Sequence, residues 1–353
     1  MAGNSDTVES FPLYEARALV RDLMTPNPWI YWTDFLFHIA LGWSALAIML
    51  HTSWWSIWQV CAYFVAVIAF YRAAIFIHEL AHLARGTFKF FRVVWNMTCG
   101  IPFMIPSFTY DGVHHEHHKP GVYGTAEDGE YLPFARQRPA AMVGYVLLSV
   151  ILPLLLVMRF LVLTPLSYLI PALRKVVWER ASSLTINPAY IRSHDAIRND
   201  HDWRIQEFAT FLFVWVVIVS VIFDTLPYQL LLAWYAIAVT VFILNALRTL
   251  AAHAYRHSGA HSLTLVEQYL DSINIPGNWF TSLWAPVGLR YHATHHLFMS
   301  LPYHNLGEAQ RRLSQQLGDH CLISLTSRKG LWDALKRIWL EAAATKPVKG
   351  AKE

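Results

Sequence analysis

Two long stretches of this 353-residue chain, 29–71 and 205–247, contain no lysine or arginine. Both are mostly apolar, and each is long enough for two bilayer crossings, since a spanning helix needs about 20 apolar residues. Each is interrupted once: "HTSWWS" separates roughly 29–50 from 55–77, and "FDTLPYQ" separates 207–223 from 228–248. The pattern predicts two transmembrane hairpins. Composition agrees, because only 15% of the residues are charged, against about 25% in a soluble domain. All 28 Lys and Arg lie outside the two stretches. By the positive-inside bias, both termini and the long central segment are cytoplasmic and the two connectors lie on the far side. Trp29, Tyr31, Trp54 and Trp55 fall near span ends, where aromatic residues anchor at the interface.

Two further apolar runs need placing. Residues 93–108 are broken by Gly100, Pro102 and Pro106, and 140–166 hold Pro153, Arg159 and Pro165. If either crossed once, the histidine-rich segments before and after it would face opposite sides, so both are read as interfacial or re-entrant. A charge such as Arg159 at mid-bilayer costs several kcal/mol. Residues 12–24 and 330–341 have the apolar spacing of amphipathic helices. The expected fold is therefore all-α and integral to the membrane: four transmembrane helices in two hairpins, interfacial or re-entrant helices, and a cytoplasmic histidine-rich cap. The expected organisation is a cytoplasmic amphipathic segment over 1–28, a membrane catalytic domain over 29–315, and a cytoplasmic C-terminal helix and tail over 316–353. The N-terminus is polar, with Asp6 and Glu9, and does not read as a signal peptide. Cys61, Cys99 and Cys321 are far apart and fit thiols in a reducing compartment. The net charge of +4 gives no reason to expect a nucleic-acid partner.

The 18 histidines cluster. "HELAH" (78–82) follows the second span, "HHEHH" is 114–118, His253, His257 and His261 follow the fourth span, "HATHH" is 292–296, and His304 comes soon after. His38, His51, His194, His201 and His320 stand apart from these boxes and read as ordinary side chains. In a helix, His78 and His82 sit one turn apart and reach a common point. The H-x-x-H-H spacing of His114, His117 and His118, repeated at His292, His295 and His296, points adjacent rings to different sides, so one box can serve two metals. The three boxes supply eight imidazoles, too many for one tetrahedral zinc. His115 is the spare member of its box. Taken alone, HELAH is also the H-E-x-x-H signature of a zinc protease with Glu79 as base. That would need a third ligand, with Asp34 or Asp224 as the carboxylates available, and leaves both H-x-x-H-H boxes unexplained.

With H-x-x-x-H and two H-x-x-H-H boxes, one hairpin before the first box and another between the last two, the chain resembles the membrane fatty acid desaturase and hydroxylase superfamily. "HELAH", "HHEHHKPGVYGTAEDGEYLP" and "YHATHHLFMSLPYHNLGEAQRRL" look like its bacterial branch. The resemblance covers roughly 29–315. It implies two irons held almost entirely by histidine, O2 as co-substrate, and oxidation of a fatty acid or acyl lipid drawn from the membrane, in a bacterial inner membrane with the active site facing the cytoplasm. It also implies a ninth histidine ligand after the fourth span; "AAHAY" looks like that site, so His253 takes the role, with His257 or His261 as replacements. Glu79, His115 and His304 are further candidates for ligands or supporting groups. Within the superfamily, desaturation is the favoured outcome, with a desaturase-like decarboxylase forming a terminal alkene, or a lipid hydroxylase, as alternatives. The chain shows no cysteine set for a ferredoxin or rubredoxin and no G-x-G-x-x-G fingerprint. Reductant then comes from a separate, ferredoxin-like or similar donor protein. The basic residues around Arg85–Arg92 and Arg311–Arg312 are candidate surfaces for such a donor or for anionic headgroups.

Overall fold

A computed structural model describes residues 11–84, 86–193, 200–259, 261–318 and 322–345. Asp6, Glu9, Arg85, His194, His320 and Cys321 lie outside the described residues. The architecture is helical throughout; among the described residues the only β pairing is three isolated bridges, between 253 and 272, 274 and 291, and 274 and 327. Five helices are long and apolar enough to cross a membrane, one more than the expected four. The principal helices are α1 (Leu13–Val20), α2 (Pro28–His51), α3 (Ile57–His82), α4 (Val113–His117), α5 (Pro139–Val157, continuing to Leu169), α6 (Asp200–Ile222), α7 (Gln229–Ala252), α8 (Leu265–Asp271), α9 (His292–Leu297), α10 (Leu306–Gln316) and α11 (Leu331–Ala344). The chain forms two compact units, here called the span unit (28–115 and 147–244) and the histidine unit (the described parts of 1–27, 116–146 and 245–353).

In the span unit, α2 opens with Pro28, whose fixed φ suits a first helical position. α3 opens on Ser56, whose hydroxyl accepts from the Gln59 N–H at 3.2 Å. The two helices pack closely at Gly42, where a Cβ would lie 2.7 Å from the Phe70 ring. Asp34 on α2 takes a bidentate pair from Arg72 on α3, at 2.7 and 2.5 Å. That commits one of the two carboxylates a zinc protease could have recruited. Residues 93–108 form a short helix (Phe91–Trp95), a π turn (Asn96–Gly100) and irregular backbone. Two of its carbonyls accept from tryptophan side chains: Trp43 donates to Thr98 O at 2.9 Å and Trp234 to Pro102 O at 3.1 Å.

The run 140–166, expected to be interfacial or re-entrant with its Pro153, Arg159 and Pro165, lies in one helical stretch of 31 residues, Pro139–Leu169, a candidate span by length and composition. A π turn at Met158–Leu163 swings Arg159 inward. Its guanidinium is buried and donates to Glu207 Oε1 at 2.5 Å, Thr164 Oγ1 at 2.6 Å and Ala181 O at 2.5 Å. Arg174 adds a second cation to Glu207 at 2.7 Å. Arg159 is therefore paired inside the protein, and its charge is no obstacle to placing this helix in lipid.

In the histidine unit, Ala251, Ile273, Ile275 and Ala334 form an apolar core against which Trp284 and Leu331 pack. α1 is tied to α10 by Arg312, which donates to Leu19 O at 3.0 Å and to Asp22 at 2.6 and 3.0 Å.

Candidate metal centre

Four histidines of the histidine unit, His117, His253, His292 and His296, bring one ring nitrogen each within 4.8 Å of the others, and all four are buried. The Nε2 atoms of His253 and His292 are 2.9 Å apart, and those of His292 and His296 are 3.2 Å apart. Nitrogens bound to one metal at about 2.0–2.1 Å, with angles of about 90–109°, lie about 2.8–3.4 Å apart. Hydrogen bonding among the rings does not account for the cluster, because His292 Nε2 faces two other Nε2 atoms and a single N–H serves only one of them. The donor set, neutral buried imidazole, suits iron, copper or zinc.

The backbone explains how these rings meet. His292 and His296 stand one turn apart on α9. The helix is pinned by Thr294, whose N–H donates to Asn274 Oδ1 at 3.1 Å and whose hydroxyl donates to Gln310 Oε1 at 2.6 Å. His253 follows the last residue of α7, where Ile273 N–H bonds Ala252 O at 2.8 Å. His118 and His295 form a further buried pair, Nε2 to Nε2 at 3.1 Å, and the His118 ring also lies 4.3 Å from that of His296.

Two of the four rings, His117 and His253, are held from behind. His117 Nδ1 lies 3.0 and 2.8 Å from the two Asp128 oxygens, and Asp128 also accepts the Gly124 N–H at 2.8 Å and the Glu130 N–H at 2.9 Å. Gly124 has φ +73°, and a Cβ there would strike His257 at 2.5 Å, so only glycine serves this turn. His253 Nδ1 meets Tyr123 Oη at 2.9 Å; that hydroxyl donates to Asp271 at 3.1 Å, and Tyr131 donates to the same carboxylate oxygen at 2.6 Å. Such acceptors fix the tautomer and leave Nε2 for a metal. Burial, and then the neighbouring rings, pushes His253 and His296 well below the ordinary histidine pKa, toward the neutral ligating form. Burial opposes charge on His117 too, but the Asp128 carboxylate outweighs it and the pKa rises.

In the span unit, His78, His82 and His114 form a second cluster, with ring centroids 4.9, 4.4 and 4.7 Å apart. Tyr110 Oη backs His114 Nδ1 at 3.0 Å. Glu79 is buried, lies 3.4 Å from His78 Nδ1, and accepts a short hydrogen bond from Tyr31. Its two carboxylate oxygens thus face His78 and Tyr31. An apolar cavity of about 110 Å³ in the same unit is lined by Trp43, Phe70, Phe103, Val214 and Trp234, among others.

Other candidates are placed elsewhere. His115 is exposed. His257 and His261 face each other, ring centroids 4.9 Å apart. His304 accepts the Asn27 N–H at 3.1 Å, which ties down the segment leading to α2. Arg311 and Arg312 are engaged with Glu308 and Asp22, and their hydrogen bonds hold the Glu308 carboxyl down to about 2. The sequence reading missed Tyr31, Tyr110, Tyr123, Asp128, Tyr131 and Asp271. The one hint was an acidic run, "EDGE", soon after the second box.

Residues 52–325 match the fatty acid desaturase family. The chain is also 41% identical over 322 residues, 91% of each chain, to a ceramide hydroxylase of Caulobacter vibrioides. The chain belongs to the fatty acid desaturase family. It is a membrane oxidoreductase, and its histidine clusters suit the metal chemistry of that family. No solved structure matches it.

Proposed function

We propose that this desaturase-family chain is a di-iron hydroxylase of a ceramide or closely similar long-chain amide lipid. The observation that carries the reading is 41% identity across nine-tenths of both chains to a ceramide hydroxylase. It moves the choice from the desaturation favoured on sequence to the hydroxylation first kept as an alternative. His117, His253, His292 and His296 would hold one of two irons, and His78, His82 and His114 of the span unit would be ligands of the other. When bound, the irons supply O2 activation and the oxidising power an unactivated C–H bond demands. The overall balance is RH + O2 + 2 e⁻ + 2 H⁺ → ROH + H2O, so two electrons come from a separate donor. Asp128, Tyr123 and Asp271 hold the imidazoles in their ligating tautomers. The apolar cavity suits a hydrocarbon tail: Phe70, on its wall, lies eight residues before His78 on α3, a rise of about 12 Å.

The topology is proposed to be four spans across a bacterial inner membrane, within a catalytic domain over 29–315, with both termini and the irons cytoplasmic. Three candidate spans separate His117 from His253, yet their rings are 5.1 Å apart. An even number of those three must therefore cross. α6 and α7 form the hairpin joined by a short connector, and α5 lies in the membrane without passing through.

Lipids from cells expressing the protein under ¹⁸O2 test the reaction. The reading expects ceramides carrying one added ¹⁸O hydroxyl, lost in His296→Ala. A product two hydrogens lighter and without added oxygen would return the assignment to desaturation.

A further inference from the structure

The two electrons need an entry point; of the basic residues singled out on sequence, Arg311 and Arg312 are engaged by Glu308 and Asp22, and Arg92 lies 3.7 Å from Asp111. A different basic feature lies in the histidine unit, where α11 begins. An open cleft of about 590 Å³ is lined by Pro276, Gly277, Arg328, Lys329, Asp333 and Arg337, among others. Three cations face one carboxylate there, and that carboxylate is turned back to accept the Lys329 N–H at 3.1 Å. Lys329 is exposed. Arg337 forms the inner wall, its side chain 12% exposed. Its Nη2 donates to the backbone carbonyl of His253 at 3.0 Å, and its Nη1 lies 3.2 Å from Glu341. Glu341 in turn holds Arg256, whose Nε donates to it at 2.7 Å. The cleft is thus one hydrogen bond from the residue proposed to carry an iron.

We propose that this cleft is the docking site of an acidic one-electron carrier protein, which reduces the iron held by His253. The inference rests on the oxygenase reading above. Positive potential at the cleft steers an acidic partner and sets its encounter rate. Electron-transfer complexes use small, weak interfaces, which a cleft of this size with a few charges can supply. Tunnelling falls steeply with distance, so the value of this place over any other basic patch is its contact with the His253 backbone. Each docking delivers one electron, and two successive encounters complete the balance given above.

The test uses the full-length iron-loaded protein in nanodiscs and an acidic [2Fe–2S] ferredoxin as probe. Two quantities are measured: the Kd for the ferredoxin, and the second-order rate at which reduced ferredoxin is reoxidised under anaerobic conditions, with no lipid turnover involved. The double variant Arg328→Glu/Lys329→Glu is expected to weaken Kd and slow reoxidation by about 10-fold or more at low salt, the gap closing as salt rises. Iron content and reduction by dithionite should match the parent protein. Unchanged ferredoxin kinetics in that variant would overturn the proposal. So would a parent protein that dithionite reduces but the acidic ferredoxin does not. A variant that keeps ferredoxin kinetics but loses binding to phosphatidylglycerol vesicles would reassign the cleft to anionic lipid. If the parent accepts electrons yet oxidises no ceramide, the hydroxylase reading fails and the docking site stands.

Discussion

Asp128 and Glu79 are both buried carboxylates beside a histidine ring, and they answer different questions. Asp128 fixes the ring of His117 with two short contacts while satisfying two backbone N–H groups. Asp128→Asn should lower iron affinity or activity about 10–100-fold, read as iron retained after dialysis against a chelator; full retention would remove it from the metal site. Glu79 supports His78 and is bonded by Tyr31. Glu79→Gln should leave clear residual lipid oxidation, whereas proteolysis of a membrane substrate that vanishes in this variant would revive the protease. The apo protein should also sense acid. His253 and His296 are held neutral by burial, with folded pKa values below the ordinary 6.5. The unfolded chain therefore binds protons first, and stability present above pH about 6.5 is lost as pH falls below it. Melting of the apo protein between pH 7.5 and 5.5 should show Tm dropping; a flat profile would contradict the burial argument. The clustering of the box histidines was legible because imidazole is rare and its spacing is periodic. Asp128, Asp271 and Tyr123 were not, because nothing local separates a buried carboxylate or phenol from a solvated one until the chain around it is folded.

At the scale of the element, α5 shows where sequence reasoning reaches its limit. Pro153 and Arg159 looked like reasons against a span. The helix continues through both, and a π turn carries Arg159 to Glu207, 48 residues away. A partner at that separation leaves no local trace. Removing Glu207 strands the buried Arg159, at a cost of about 3–5 kcal/mol, whereas removing Arg159 leaves Glu207 paired with Arg174. Glu207→Gln should therefore lower the Tm in detergent sharply, and Glu207→Gln combined with Arg159→Met should recover much of the loss. Equal stability of the single variant and the parent would show the pair to be dispensable. The helices α2, α3, α6 and α7 were legible from apolar length and the absence of Lys and Arg, because bilayer thickness imposes those features on any spanning helix.

Across the whole molecule, the proposed topology needs an even number of crossings between His117 and His253. A cysteine placed at Lys175, beyond α5, should label only from the cytoplasmic side, together with one at Ser327, while Ser53 and Thr225 label from outside. Labelling of Lys175→Cys from outside would make α5 a span and force a recount around His253. The central claim is that these histidines hold two irons, and metal analysis of the purified protein tests it most directly. The account predicts about two irons per chain and no stoichiometric zinc, with one iron lost in His253→Ala. A single zinc per chain, retained in His253→Ala, would contradict it.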